Sequence, residues 1–223
     1  MQIPITKYGL PQVVVYPALV LALMAVLFVF LPKNLLALEA PLLVIFIWML
    51  MFFRDPPRQI PFDENILLSP ADGTVTEISE TDMPELGGKA LRIGIFLSIY
   101  NVHINRFPCS VRVEGVRYKK GKFKNAKSGE SGTVNESNEI EMTRLAEPAC
   151  RLLVRQLSGA VARRIVCTAE EGQGYTQGAR FGMIKFGSRT ELYVPLQEGN
   201  FDIAVKTGDK VNAGISPLIV YKP

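Results

Sequence analysis

Residues 182–191 read GMIKFGSRTE. Strand-like sequence lies on both sides, and Gly187-Ser188 interrupts it. Glycine weakens a strand and marks a turn or a close backbone approach, so the ordinary reading is a turn. The surroundings decide the fold class. From Asn65 onward come short runs rich in β-branched and aromatic residues: ILLSP, GTVTEIS, ALRIGIFLS, SVRVEGVRY, NEIEMTRL, RLLVRQLSG, ARRIVCTA, ELYVPL and FDIAVK. Glycines, asparagines and prolines separate them at the spacing of a compact β domain. Residues 158–171, SGAVARRIVCTAEE, also suit a short helix through their Ala, Arg and Glu content. Residues 125–138, NAKSGESGTVNESN, are polar and glycine-containing and read as a mobile loop that closes over a site. The ending KTGDKVNAGISPLIVYKP has the strand–turn–strand pattern of lipoyl and biotinyl carriers, but it lacks a lysine in an MKM-like hairpin tip. The expectation is a mainly β (α+β) soluble domain with carrier-like (barrel-sandwich) strand architecture.

An N-terminal two-helix hydrophobic hairpin is expected ahead of it. Residues 11–31 carry no charge and residues 35–53 carry only Glu39. Each run is long enough for one bilayer crossing, and the link Pro32-Lys33-Asn34 makes them antiparallel neighbours. No small-residue cleavage site precedes the second run, which argues against a removable signal peptide. Lys7 before the hairpin, and Arg54 and Arg58 after it, favour both ends in the cytoplasm. The prolines of RDPPRQIP (54–61) make a stiff linker. The domains are therefore expected at 1–56, the membrane anchor, and 57–223, the soluble domain on the cytoplasmic side of the inner membrane.

The formal net charge is +4, too weak a bias to suggest nucleic acid. A local run, Lys119, Lys120, Lys122, Lys124 and Lys127, suits either anionic headgroups or an ordinary solvated face. Three cysteines, Cys109, Cys150 and Cys167, have no CxxC spacing, so neither a disulfide framework nor a zinc site is expected. One histidine and scattered acids supply no metal site.

That histidine is His103, in FLSIYNVHINRFP. Ser98, Ser188 and Cys109 are available nucleophiles, but there is no GxSxG elbow. Asp72, in LSPADGTV, taken alone is half of an Asp-Gly turn. Together, and in this order behind an apolar hairpin, LSPADGTV, FLSIYNVHINRFP and GQGYTQGARFGMIKFGSRTELYVP resemble the short form of the phosphatidylserine decarboxylases. The resemblance covers nearly the whole chain.

It implies a proenzyme that cuts itself between Gly187 and Ser188, giving a β chain of residues 1–187 and an α chain of residues 188–223. Ser188 Oγ attacks the Gly187 carbonyl, exchanging amide for ester. Loss of the serine α-proton expels the acyl oxygen, and hydrolysis of the dehydroalanine leaves an N-terminal pyruvoyl group, the cofactor. Glycine before the cut lets the hydroxyl approach without a Cβ in the way. The resemblance further implies that the pyruvoyl condenses with the amine of phosphatidylserine as a Schiff base, acts as an electron sink for decarboxylation, and releases phosphatidylethanolamine. His103 is the expected proton carrier and Asp72 its orienting acid. Longer members of the family carry a second histidine three residues on, where this chain has Arg106. The expected partners are the phospholipid membrane, phosphatidylserine and the two chains of one precursor, with homo-oligomerisation open and the substrate subsite unassigned. Two alternatives stay open: a decarboxylase of another serine-headed lipid such as archaetidylserine, and a non-enzymatic, membrane-tethered carrier-like β module.

Overall fold

The computed structural model describes residues 5–30, 32–33, 37, 39–122, 134–159, 164–185, 188–197 and 200–222. They fall into two compact units, Met1–Pro57 and Arg58–Pro223.

The first unit is a helical hairpin. Helix α1 (Leu10–Phe30) follows a 3-10 turn whose N-terminus is capped by Thr6, and α2 spans Glu39–Phe52. The base closes where Thr6 N–H donates to the Phe53 carbonyl (2.9 Å) and Ile5 bridges Arg54. The segment Lys7–Phe30 is long and apolar enough to cross a bilayer. Helix α2, with 14 residues, rises about 21 Å at 1.5 Å per residue, less than the ~30 Å hydrocarbon core. Equal crossing lengths for the two runs are therefore not seen among the described residues. Apolar side chains along α1, including Val14, Leu19 and Phe28, face outward, as lipid-facing positions do.

The second unit is built of strands with a 3-10 turn at Pro84–Leu86; the strands pair antiparallel, and an isolated parallel bridge joins Lys122 to Asn135. In chain order the strands are β1 (Ile66–Leu68), β2 (Gly73–Met83), β3 (Gly88–Leu97), β4 (Ile104–Arg106), β5 (Val111–Lys119), β6 (Ser137–Arg144), β7 (Arg151–Ser158), β8 (Arg164–Cys167), β9 (Gly174–Tyr175), β10 (Arg180–Lys185), β11 (Ser188–Pro195), β12 (Phe201–Ile203), β13 (Lys210–Val211) and β14 (Pro217–Tyr221). They build an eight-stranded sheet, β13-β2-β3-β11-β7-β6-β5-β9, and two three-stranded sheets, β1-β14-β12 and β4-β10-β8. The mainly β expectation holds, preceded by two apolar helices.

Alternation sorts each strand of the large sheet into two faces. The inner face carries Leu91, Ile93, Ile95, Leu97, Leu192, Val194, Leu152, Val154, Ile140 and Met142, all in the main hydrophobic core. Strand β11 is buried along its whole length, because its other face is covered too.

Three local expectations change. Residues 164–167, read both as part of the β run ARRIVCTA and as part of an alternative short helix, form β8. Ile165 and Val166 are β-branched, and pairing with β10 outweighs the helical propensity of their neighbours. Residues 160–163 lie outside the described residues. So do residues 125–133 of the expected mobile loop, but Ser137 and Asn138 belong to β6, and Asn135 and Glu136 are buried. Of the lysine run, Lys119, Lys120 and Lys122 are exposed, while Lys124 and Lys127 lie outside the described residues.

Candidate active site

Ser188 is the first residue of β11 and is fully buried. It pairs with Leu97 of β3 on one side and Ser158 of β7 on the other. Gly187 lies outside the described residues. Strands β10 and β11 do not pair with each other. The chain leaves the β4-β10-β8 sheet at Lys185 and joins the eight-stranded sheet at Ser188. The interruption in the opening motif therefore marks a change of sheet rather than the turn of a hairpin. Gly182 of the same motif has its own reason. A Cβ there would collide with the Val166 carbonyl oxygen and crowd the Gln156 amide (3.2 Å).

His103 closes the loop between β3 and β4, and both ends of that loop meet the crossing. Leu97 lies opposite Ser188, and the His103 carbonyl accepts the Ile184 N–H (3.3 Å). The imidazole is fully buried. Its Nδ1 lies 2.9 Å from the Asn101 carbonyl. A carbonyl only accepts, so the proton sits on Nδ1 and Nε2 is the basic nitrogen.

Asp72 does not orient this ring. Its carboxylate takes a bidentate pair from Arg58 (Nη1–Oδ1 2.6 Å, Nη2–Oδ2 2.8 Å) and the Ala213 N–H (2.7 Å). Arg58 Nη1 also donates to the Ala213 carbonyl (2.6 Å). The forked guanidinium matches both carboxylate oxygens, and side-chain exposure is 7% for each partner. Arg58, expected as a membrane-flanking charge, thus ties residue 58 to the loop before β14. Arg106 is buried as well and donates to the Gly178 carbonyl (2.9 Å). The contact with the imidazole is made instead by the Asn101 carbonyl.

On the inner face, next to Ser188, the core turns polar. Asn138 donates to Gln156 Oε1 (3.2 Å), Gln156 to Asn105 Oδ1 (2.9 Å), and Asn105 to Thr190 Oγ1 (3.0 Å). This chain ties β6, β7 and β11 to β4, the strand that follows His103. On the outer face Arg189 pairs with Glu77 (2.5 Å) and Glu191 (2.8 Å). Its guanidinium lies over Gly94, where a Cβ would come within 2.8 Å of Arg189 Cζ. Burial alone raises the Glu77 carboxyl, but hydrogen bonds from Arg189 and Ser79 and the charges of Arg92 and Arg189 hold it below its ordinary value. Burial, with Arg164 nearby, pushes the Lys185 ammonium down.

Residues 45–218 match the family described as phosphatidylserine decarboxylase. The chain belongs to that family. It is 40% identical over 223 residues to the phosphatidylserine decarboxylase proenzyme of Rhodopirellula baltica, covering 99% of this chain and 89% of the relative. The proenzyme of Pelagibacter ubique is 39% identical over 203 residues (89% and 91%), and that of Solidesulfovibrio magneticus 44% over 167 residues (75% and 76%). Family membership makes this chain an enzyme of the decarboxylase proenzyme type.

Several residues around Ser188 escaped sequence reasoning: Asn105, Asn138, Gln156, Ser158 and Glu136. Asn105 stands two places from His103 in a quoted motif and had a local signal. The others come next to Ser188 through strand register, which one sequence does not display.

Proposed function

We propose that the chain decarboxylates phosphatidylserine to phosphatidylethanolamine at a membrane, using a pyruvoyl group made from Ser188 by cleavage after Gly187. The observation that carries this reading is the Ser188 hydroxyl. It is fully buried and has no hydrogen-bond partner among the described residues, at the place where the chain changes sheet. A buried, unsatisfied hydroxyl costs about 1–3 kcal/mol, a cost that a purely structural strand residue has no reason to carry. The site fits the group: Ser188 begins a strand clamped on both sides, so a residue cut from its predecessor is still held by β3 and β7.

When formed, the pyruvoyl group supplies an electrophilic carbonyl that draws off the electron pair left by carbon dioxide. The rest is the work of ordinary side chains. His103, with Nδ1–H fixed on Asn101, presents Nε2 as the proton carrier for the substrate carbon that loses carbon dioxide. Leu97, Ile95 and the core beneath keep bulk water from the reacting atoms. The Asn138–Gln156–Asn105–Thr190 chain fixes β4, and through it the position of His103. Asp72 and Arg58 brace the fold at a distance from the proton transfer. Helix α1 anchors the chain, and with Lys7 and Arg54 at the hairpin base the soluble unit lies on the cytoplasmic side of the inner membrane.

Intact-mass measurement of the purified protein tests the reading. The expected result is two chains, the smaller one beginning at position 188 with pyruvoyl, and a single uncut chain for Ser188→Ala. An unprocessed wild-type chain of 24.7 kDa that still decarboxylates phosphatidylserine would overturn it.

A further inference from the structure

The row of the large sheet that holds Ser188 continues beyond Ser158. Ser158 N–H donates to the Glu136 carbonyl (2.9 Å), so Glu136, just before β6, extends the ladder by one strand. By alternation from Asn138, whose side chain meets Gln156 on the inner face, Glu136 shares the face of Ser158 and Ser188. Directly opposite residues place their Cβ atoms about 4.5–5.5 Å apart. The row therefore reads Glu136, Ser158, Ser188, Leu97.

Three consecutive side chains in this row have the same anomaly. Glu136 is 6% exposed, and Ser158 and Ser188 are fully buried. Glu136 Oε1 accepts the Tyr118 hydroxyl (2.8 Å). Glu136 Oε2, Ser158 Oγ and Ser188 Oγ are all buried with no hydrogen-bond partner among the described residues. The neighbouring row, Asn138, Gln156 and Thr190, is joined up through Asn105. One row is closed and the next is left open, beside the bond to be cut. Native proteins leave few such groups, and each calls for a reason.

Two other candidates are set aside by their bonding or chemistry, and His103 Nε2 is assigned to the later step. Both Asp72 oxygens are held by Arg58. Arg106, at the position of the second histidine in longer members, carries a permanent charge and accepts no proton.

We propose that Glu136 is the proton acceptor for self-cleavage, working on Ser188 through the Ser158 hydroxyl. The inference rests on the reading that Ser188 attacks Gly187. Ser158 O–H passes its proton to Glu136 Oε2 while its oxygen takes the proton of Ser188 Oγ. The freed Oγ lone pair forms a bond to the Gly187 carbonyl carbon. The Gly187 C–N bond breaks towards nitrogen, and the same proton returns through Ser158 to make the amine. Amide becomes ester with no atom gained or lost. His103, at the end of the loop that follows β3, is left to serve the later decarboxylation.

The test is a time course of chain cutting in the full-length protein, synthesised cell-free into detergent, for wild type, Glu136→Gln and Ser158→Ala. Glu136→Gln keeps the size of the side chain and should slow cutting about 100-fold or more, the usual worth of a positioned acid–base group. Ser158→Ala, which deletes one unpartnered oxygen, should slow it about tenfold or more. Hydroxylamine, which cleaves esters and spares amides, should leave the stalled Glu136→Gln precursor intact, which places the block before the ester forms rather than at its elimination. Glu136→Gln cutting within threefold of wild type, or a stalled precursor that hydroxylamine splits at position 188, would refute the assignment. Should Glu136→Gln fail to fold, Ser158→Ala decides alone, and a wild-type rate there overturns the relay. If the wild-type chain never cuts, the reading of Ser188 itself falls. If wild type and both variants cut alike, only the role of Glu136 does.

Discussion

Replacing Asp72 by asparagine separates two roles that the motif LSPADGTV allows. The substitution keeps the volume and removes the charge, leaving the Arg58 guanidinium 7% exposed with no counter-charge. Breaking a buried pair in this way costs about 3–5 kcal/mol. For a unit the size of Arg58–Pro223, each kcal/mol shifts the midpoint about 2–4 °C, so the transition should fall by roughly 6–20 °C. The measurement is best made in a Ser188→Ala background, where the precursor stays homogeneous, with and without Asp72→Asn. Adding Arg58→Met should recover much of the loss, because it removes the orphaned cation. Cutting is then followed with Ser188 present, at a temperature below every transition. The rate in Asp72→Asn should stay within about threefold of wild type, since the carboxylate makes its bonds to Arg58 and Ala213 and none to His103. An unchanged midpoint together with abolished cutting would show that Asp72 acts in the chemistry, and the clamp reading would be wrong.

Two further outcomes follow from the large sheet. Glu77 is held below its ordinary value of 4.5; a depressed carboxylate contributes stability that is complete above that value and is lost as pH falls through the lower folded one. Thermal midpoints measured from pH 6 down to pH 3 should therefore drop below about pH 4.5, and Glu77→Gln should flatten that limb; an unaltered limb would mean that other carboxylates govern it. After cutting, residues 188–223 should stay with residues 1–187 through gel filtration in mild detergent and separate only on denaturation, because β11 lies between β3 and β7 and β14 between β1 and β12; release of the small chain under native conditions would contradict this topology.

The strand runs were readable because β-branched residues and their punctuation are local signals. The nine runs named from Asn65 onward each contain a strand. The short strands β4 and β10 were harder, since INR and RFGMIK carry no alternation of their own and are ordered by pairing with each other and with β8. The helical reading of residues 158–171 failed over 164–167 for the same reason. At the site, Ser188 and His103 stand in motifs whose residue types announce chemistry. Asp72 does as well, but its partner is set by tertiary structure. Arg58 lies 14 residues away in a linker whose charge invited a membrane reading. Glu136 and Ser158 look like ordinary polar residues at the end of a loop and the end of a strand. Only the register of β6, β7 and β11 puts them in line.

That register also gives a reason why the proposed cut before Ser188 could be tolerated. A cut in an exposed loop would cost little stability, but its new ends would be mobile and open to water. Here the residue after the cut enters a strand buried on both faces, with apolar packing on one side and the Arg189–Glu77–Glu191 pairs on the other. Pairing with β3 and β7 fixes that strand whether or not its first residue is still joined to its predecessor. The price is a row of polar atoms without partners next to Ser188, and the closed chain through Asn138, Gln156, Asn105 and Thr190 confines that cost to one row. On the proposed reading, the sheet that stabilises the second unit would also be the clamp that keeps a newly made chain terminus in place, which a carrier-like hairpin with a displayed lysine has no need to do.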